Sequence, residues 1–183
     1  WGGDVVHRVI EAALHDLRWG RTTTIGELKR RARELMVRSW RESLNSEWEF
    51  DPKRRLNLFE HYYNDDSVNA RSVSIRERVE RCLENFRRSS TYAELQSVGQ
   101  KDWLSVEDLR SFDVDGVKVW VRLDCAYRSP EGRIVILDWK TGRPSDSDRE
   151  QLTCYALYAT HEWADAQVED IDLRVVYLDS DEE

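Results

Sequence analysis

Cysteine is scarce in this chain of 183 residues, and the three cysteines that occur are far apart. Cys82, Cys125 and Cys154 form no C-x-x-C pair, so neither a zinc site nor a four-cysteine iron–sulfur cluster is expected. We expect buried free thiols instead, as in proteins of a reducing compartment.

Long apolar runs are also missing. No stretch approaches the roughly 20 apolar residues that cross a bilayer, and no signal peptide precedes the first predicted helix. Charged residues make up 35% of the chain and aromatic residues 10%, which is typical of a globular protein and not of a disordered one. We therefore expect a cytoplasmic protein that folds as a single domain over residues 1–183.

Basic residues are outnumbered by acidic residues, and the formal net charge is −8. Such a balance provides little long-range attraction towards a polyanion. Any polyanionic substrate would therefore depend on local features of the chain.

The most informative stretch is an apolar, β-branched run over residues 134–137, which is typical of a buried strand. Asp138, Trp139 and Lys140 follow it directly. Positions two apart in a strand share a face, so Asp138 and Lys140 should point the same way and Trp139 the other way.

A second strand is predicted over residues 117–123, where apolar and polar residues alternate up to Asp124. Residues 129–132 have the serine, proline and glycine of a turn. We expect this strand and the buried strand to form a hairpin, which would place Asp124 opposite Leu137 or Asp138.

Two carboxylates on adjacent strands would lie roughly 5 Å apart and would repel each other unless a cation lay between them. A hard divalent ion such as Mg²⁺ suits this pair. Lys140 would then orient a water molecule or stabilise negative charge on a phosphate. Two solvated acids and a surface lysine would explain the same spacing.

The next segment is predicted to be a helix that runs to Trp163, opened by a capping box of Ser147 and Glu150. Gln151 and Tyr155 are four residues apart and share a face of this helix. Beside the acidic strands, this polar pair would hold a substrate or a water molecule. An ordinary amphipathic helix with a tyrosine at the edge of the core is the alternative.

The first helix carries the candidate residue His7, with Glu11 four positions later on the same face. Val6, Ile10 and Leu14 recur at helical spacing and predict a buried stripe beside it. A lone histidine in such a helix is usually structural, but the acids downstream favour a metal ligand.

Residues 20–98 are predicted to be an all-helical insertion between this helix and the sheet. Thr24 and Glu27 form a capping box. The densest basic cluster of the chain follows at residues 29–33, and it is either a solvated helix face or a surface that contacts phosphate.

Four phrases, in this order, resemble the RecB-type branch of the PD-(D/E)XK nucleases. They are Gly3-x-x-x-His7-x-x-x-Glu11, Leu123-Asp124 before a hairpin, Leu137-Asp138-Trp139-Lys140-Thr141-Gly142, and Gln151-x-x-x-Tyr155. The resemblance covers most of the chain.

This resemblance implies an α/β fold with a restriction-endonuclease-like core. A mixed central β-sheet, containing an antiparallel meander, would be flanked by helices, with the all-helical insertion in the N-terminal half. It also implies a DNA nuclease that depends on Mg²⁺ or Mn²⁺ and hydrolyses phosphodiester bonds.

The resemblance further implies a role for each matching residue. The metal ligands would be His7, Asp124, Asp138 and the main-chain carbonyl of Trp139. The catalytic residues would be Asp124, Asp138 and Lys140, and the supporting residues Gln151, Tyr155, Thr141 and Glu11. Glu107 lies where the family often has a strand glutamate and would support the metal.

Val121 occupies the position at which the family usually has the glycine of G-x-x-D. Together with the acidic net charge, it favours the alternative of a nuclease-fold module that binds DNA or a protein without cutting. The acidic charge also suggests that a helicase or another partner delivers the DNA, as a single strand or a duplex end. Repair, recombination and defence are all compatible pathways.

Overall fold

The computed structural model describes residues 1–163 and 166–180. Over these residues the helices are α1 (Gly2–Arg18), α2 (Ile25–Leu44), α3 (Phe59–Tyr62), α4 (Val68–Arg88), α5 (Ser90–Leu95) and α6 (Asp146–Glu162). The strands are β1 (Trp103–Val106), β2 (Leu109–Val114), β3 (Val117–Arg122), β4 (Cys125–Arg128), β5 (Ile134–Lys140) and β6 (Ile171–Tyr177).

The central sheet has the strand order β1-β4-β5-β6. β4 is antiparallel to both β1 and β5, whereas β6 runs parallel to β5. A parallel pair needs a crossover connection, and α6 lies in that connection. This mixed sheet with flanking helices confirms the predicted α/β class.

The predicted pairing of residues 117–123 with the buried strand is wrong. β3 pairs with β2 in a separate two-stranded sheet. The two strands join at Asp115 and Gly116, whose φ angles of 49° and 81° suit a tight hairpin turn. Alternation marks a half-buried strand but does not specify which strand it pairs with.

β4 is the strand that lies beside β5, with Cys125 opposite Leu137. Extending this antiparallel register by one residue places Asp124 opposite Asp138. This is one of the two positions that the sequence allowed, although the strand that continues from Asp124 is β4 and not β3.

The predicted capping box of α6 is also displaced. Ser145 and Asp148 form it, not Ser147 and Glu150, and the main-chain N–H of Ser145 donates to Asp148 Oδ2 at 2.9 Å. Pro144 directly precedes this cap. Because proline lacks a main-chain N–H, it is excluded from the interior of a helix, and α6 begins after it. The capping box of Thr24 and Glu27 at the start of α2 is confirmed.

The helix α1 lies in the core between the sheet and the pair α2 and α4. Its buried stripe packs in one cluster with Phe86, Leu137 and Trp139. A Cβ atom at Gly2 would meet Ile75 Cγ2 at 2.9 Å, so this glycine allows the first turn of α1 to approach α4.

Residues 20–98, all of which the structure describes, contain the helices α2 to α5 and no strand. Their description as an insertion within a single domain remains a prediction. None of the described helices is long and apolar enough to cross a bilayer.

We predict that Phe86→Ala lowers the free energy of unfolding by about 3–5 kcal/mol, because the ring is fully buried against Trp139. The matched variant Phe50→Ala should change it by less than about 0.5 kcal/mol, since Phe50 is 90% exposed. Denaturant titration measures both. Equal losses would mean that Phe86 does not anchor α4 to the sheet.

Candidate active site

His7 is carried by the second turn of α1, beside the end of the central sheet. A Cβ atom at Gly3 would lie 3.0 Å from Thr141 Oγ1, so this glycine lets the helix start close to the residue after β5. The buried neighbours Val6 and Val9 hold α1 in the core. The imidazole therefore has a fixed position next to the strand ends.

Two carboxylates face this imidazole. His7 Nδ1 lies 3.4 Å from Glu107 Oε1 and 3.4 Å from Asp124 Oδ1. One ligand atom from each of these three residues lies within 4.8 Å of the others, a spacing at which a single metal ion can contact all three. The three residues come from α1, from the end of β1 and from the residue before β4.

Glu107 has a φ angle of 52°, in the left-handed region that a residue with a side chain seldom adopts. Its main-chain N–H donates to the carbonyl of Leu123 at 2.9 Å and lies 3.2 Å from that of Asp124. These bonds hold Glu107 beside Asp124. Such conformations cost about 1–3 kcal/mol and occur at functional positions.

The electrostatics of the group favour an added positive charge. Burial alone would lower the pKa of His7, but hydrogen bonds and charge from Asp124 and Glu107 raise it to about 10. Burial and then the charge of Asp124 raise the pKa of Glu107, while His7 acts against that rise. The carboxylates therefore stabilise a cation on or beside the imidazole.

Asp138 and Lys140 point the same way, as predicted, and Trp139 points into the core. Lys140 Nζ lies 2.8 Å from Asp138 Oδ2, whereas the indole of Trp139 packs edge-on against Phe86. Burial and then the charge of Asp124 raise the pKa of Asp138, and Lys140 opposes that rise. Asp138 is thus electrostatically coupled to the His7 group.

The backbone of β5 also supports Asp124. The main-chain N–H of Trp139 donates to Asp124 Oδ2 at 2.7 Å. Asp124 Oδ1 is then the oxygen that lies beside His7. A main-chain group therefore orients the Asp124 carboxylate.

A hydrogen-bond chain connects β5 to α6. Lys140 Nζ donates to Gln151 Oε1 at 2.5 Å, and Gln151 Nε2 donates to the hydroxyl of Tyr155 at 2.5 Å. That hydroxyl donates to the carbonyl of Arg122 at 2.8 Å and lies 3.3 Å from Asp138 Oδ1. The predicted polar pair on α6 therefore contacts both Lys140 and Asp138.

Sequence reasoning gave Glu107 only a supporting role and missed Asp148. Asp148 Oδ1 lies 3.9 Å from Lys140 Nζ, and its other oxygen accepts from Tyr177. The spacing of Ser145 and Asp148, which form the capping box of α6, was the sequence pattern that could have identified Asp148. Glu11, by contrast, lies outside the group of three and acts on Glu107 through its charge.

Val121 does not face the group. It is 5% exposed and packs in a cluster with Phe112, Leu123 and Tyr155. Its side chain therefore fills the core between β3 and α6. At this exposure the side chain presents almost no surface to an approaching DNA backbone.

The residues fit a divalent ion. An imidazole with carboxylate oxygens is a donor set that divalent metals accept. Asp138 Oδ2 is buried and has no hydrogen-bond partner among the described residues, although the Lys140 ammonium lies beside it. A bound metal ion would add to the charge of Lys140 and further offset the repulsion among the acids.

The chain thus has a group of acidic and basic side chains at the end of a mixed sheet, with donors that suit a divalent metal. The sequence model of the PD-(D/E)XK nuclease superfamily matches residues 2–183, and the chain belongs to this superfamily. Its members use divalent metals, and the restriction-endonuclease-like fold agrees with the observed sheet. A comparison with curated proteins gave no match.

We predict that Mn²⁺ raises the melting temperature of the wild-type protein. At a concentration 100 times the Kd, a bound ion stabilises the folded state by about 2.7 kcal/mol. The variant Asp124→Asn should lose most of this gain, because Asp124 supplies one of the three ligand atoms of the group. Calorimetry with and without Mn²⁺ measures the effect.

The matched control is Asp4→Asn, since Asp4 is exposed on the same end of α1 and outside the group. It should keep the full response to Mn²⁺. A response that survives in Asp124→Asn would place the ion elsewhere.

Proposed function

We propose that this protein is a divalent-metal-dependent deoxyribonuclease of the RecB-type branch. The observation that carries the proposal is the group of His7, Glu107 and Asp124 next to the ion pair of Asp138 and Lys140. On the superfamily's fold, this combination suits hydrolysis of a phosphodiester bond.

The proposed metal ligands are His7, Asp124, Asp138 and the main-chain carbonyl of Trp139, with Mg²⁺ or Mn²⁺ as the ion. Glu107 is added to them because it lies as close to His7 as Asp124 does. When bound, the ion supplies a Lewis acid for the phosphoryl oxygen and lowers the pKa of water.

Lys140 places the attacking water or stabilises the charge that grows on the phosphate. Its ammonium is held between Asp138 Oδ2 and Gln151 Oε1, so few side-chain rotations remain available to it. Tyr155 holds Gln151 in turn. Gln151 and Tyr155 therefore act as positioning residues, with Thr141 and Glu11 in supporting places.

The proposal extends to the setting of the reaction. The substrate is DNA, as a single strand or a duplex end, in repair, recombination or defence. The net charge of −8 supports delivery by a helicase or another partner. Residues 1–183 act as one domain, with residues 20–98 as its helical insertion.

The second candidate is a nuclease-fold module that binds DNA or a protein without cutting. Val121 in the position of the family's glycine, together with the acidic charge, favours it. The burial of Val121 in the core weakens this candidate, because a buried side chain presents almost no surface to DNA.

We predict that Asp138→Asn and Lys140→Met each lower Mg²⁺-dependent cleavage of DNA by roughly 100-fold or more. Asp138 is a proposed metal ligand and Lys140 is the cation beside it, and loss of a preorganised electrostatic partner costs about this much. Single-turnover cleavage of a labelled linear DNA measures the rate, with EDTA as the metal-free reference.

Lys101→Met is the matched control, because Lys101 is exposed and lies outside the group. It should cleave at the wild-type rate. Cleavage that persists in both site variants and in EDTA would sink the proposal, whereas a wild-type protein that binds DNA and never cuts would favour the second candidate.

A further inference from the structure

The hairpin of β2 and β3 has one face in the core and one face in solvent. Phe112 and Val121 on the inner face pack in a cluster with Tyr155 and Tyr158 of α6. Trp120 directly precedes Val121 in β3 and therefore lies on the outer face, where it is 62% exposed. An indole exposed to this degree on a strand buries little area and contributes little to the core.

The outer face of β3 carries a basic–aromatic–basic series. Lys118, Trp120 and Arg122 are two residues apart, share this face and are all exposed. Lys118 Nζ lies 5.9 Å from the centre of the Trp120 ring. Among the described residues neither Lys118 nor Arg122 makes an ion pair, even though Asp113 lies opposite Lys118 in the register.

This series leads into the candidate active site. Asp124 follows Arg122 by two residues, so Trp120 and Asp124 are separated by at most about 14 Å of extended chain. The carbonyl of Arg122 accepts from Tyr155, which in turn lies 3.3 Å from Asp138 Oδ1. The hairpin is therefore attached to the group through hydrogen bonds as well as through the chain.

We propose that the outer face of this hairpin binds a single-stranded stretch of the DNA substrate, with an unpaired base stacked on Trp120 and phosphates on Lys118 and Arg122. Aromatic rings flanked by basic side chains bind single strands because every base has a π-face, while a paired base in a duplex is covered by its neighbours. Two cations that have no acidic partner in the described part of the chain are complementary to phosphate, in a chain whose net charge is −8. The inference deepens the proposed function, on which it rests, by naming the form of the substrate.

Binding is measured by fluorescence anisotropy with a labelled 20-nucleotide oligo-dT strand, in EDTA so that no cleavage occurs. Trp120→Leu should raise the Kd roughly 5- to 100-fold, the range for loss of one stacked base. Trp19→Leu is the matched control, since Trp19 is 68% exposed and lies at the far end of α1. It should leave the Kd unchanged.

The charge component is tested by the salt dependence of the same binding. Each phosphate contact to a single strand contributes about −0.7 to the slope of log K against log salt, so Lys118→Gln with Arg122→Gln should reduce its magnitude by about 1.4. Lys53→Gln with Arg54→Gln removes two exposed charges from the helical region and should not alter the slope. Thermal melting confirms that each variant folds.

A blunt 20-base-pair duplex separates this surface from a general DNA-binding face, and Trp120→Leu should change its Kd by less than twofold. The inference fails if Trp120→Leu behaves like Trp19→Leu, if the salt slope does not change, or if duplex binding falls as much as strand binding. Because binding is measured without metal, loss of strand binding in Trp120→Leu would support the surface even if Mg²⁺-dependent cleavage were absent and the proposed function failed.

Discussion

Repulsion among three acids is the constraint on which this structure depends. Glu107, Asp124 and Asp138 are held close together where strands of the central sheet begin or end, and burial and mutual charge raise the pKa of Glu107 and of Asp138. Removing charge from water is costly unless an opposite charge compensates it. His7 provides that compensation for Glu107 and Asp124, and Lys140 provides it for Asp138. A divalent ion would provide more.

The scaffold holds these charges in place through main-chain geometry. A buried strand fixes Asp138 and Lys140 on one face, and its backbone N–H at Trp139 holds Asp124. Glu107 itself has a left-handed main-chain conformation, and its side chain lies beside His7. Main-chain geometry therefore sets where these acids start, which favours the preorganisation that an ion site requires.

The overall charge of the protein opposes its proposed substrate, so the distribution of charge matters more than the total. The cations on the outer face of the β2–β3 hairpin, which form no ion pair within residues 1–163 and 166–180, lie along the chain that leads to Asp124. Many other basic side chains are paired with acids. Arg33 with Glu80 and Arg31 with Asp16 are examples in the helical region. Local attraction near the reacting group and weak attraction elsewhere suit an enzyme whose DNA arrives through a partner.

Local patterns in the sequence determined the local structure. A continuous apolar, β-branched run identified β5, and the two-residue repeat of a strand put Asp138 and Lys140 on one face. A period near four identified the stripe of α1, and Thr24 with Glu27 marked the start of α2. Tertiary structure decided which strands pair and which distant residues meet: β4 took the place expected for β3, and Glu107 met His7 across 100 positions of sequence. The physical reason is that a side-chain period records one segment's conformation and exposure, whereas pairing and the meeting of charges depend on the packing of all segments at once.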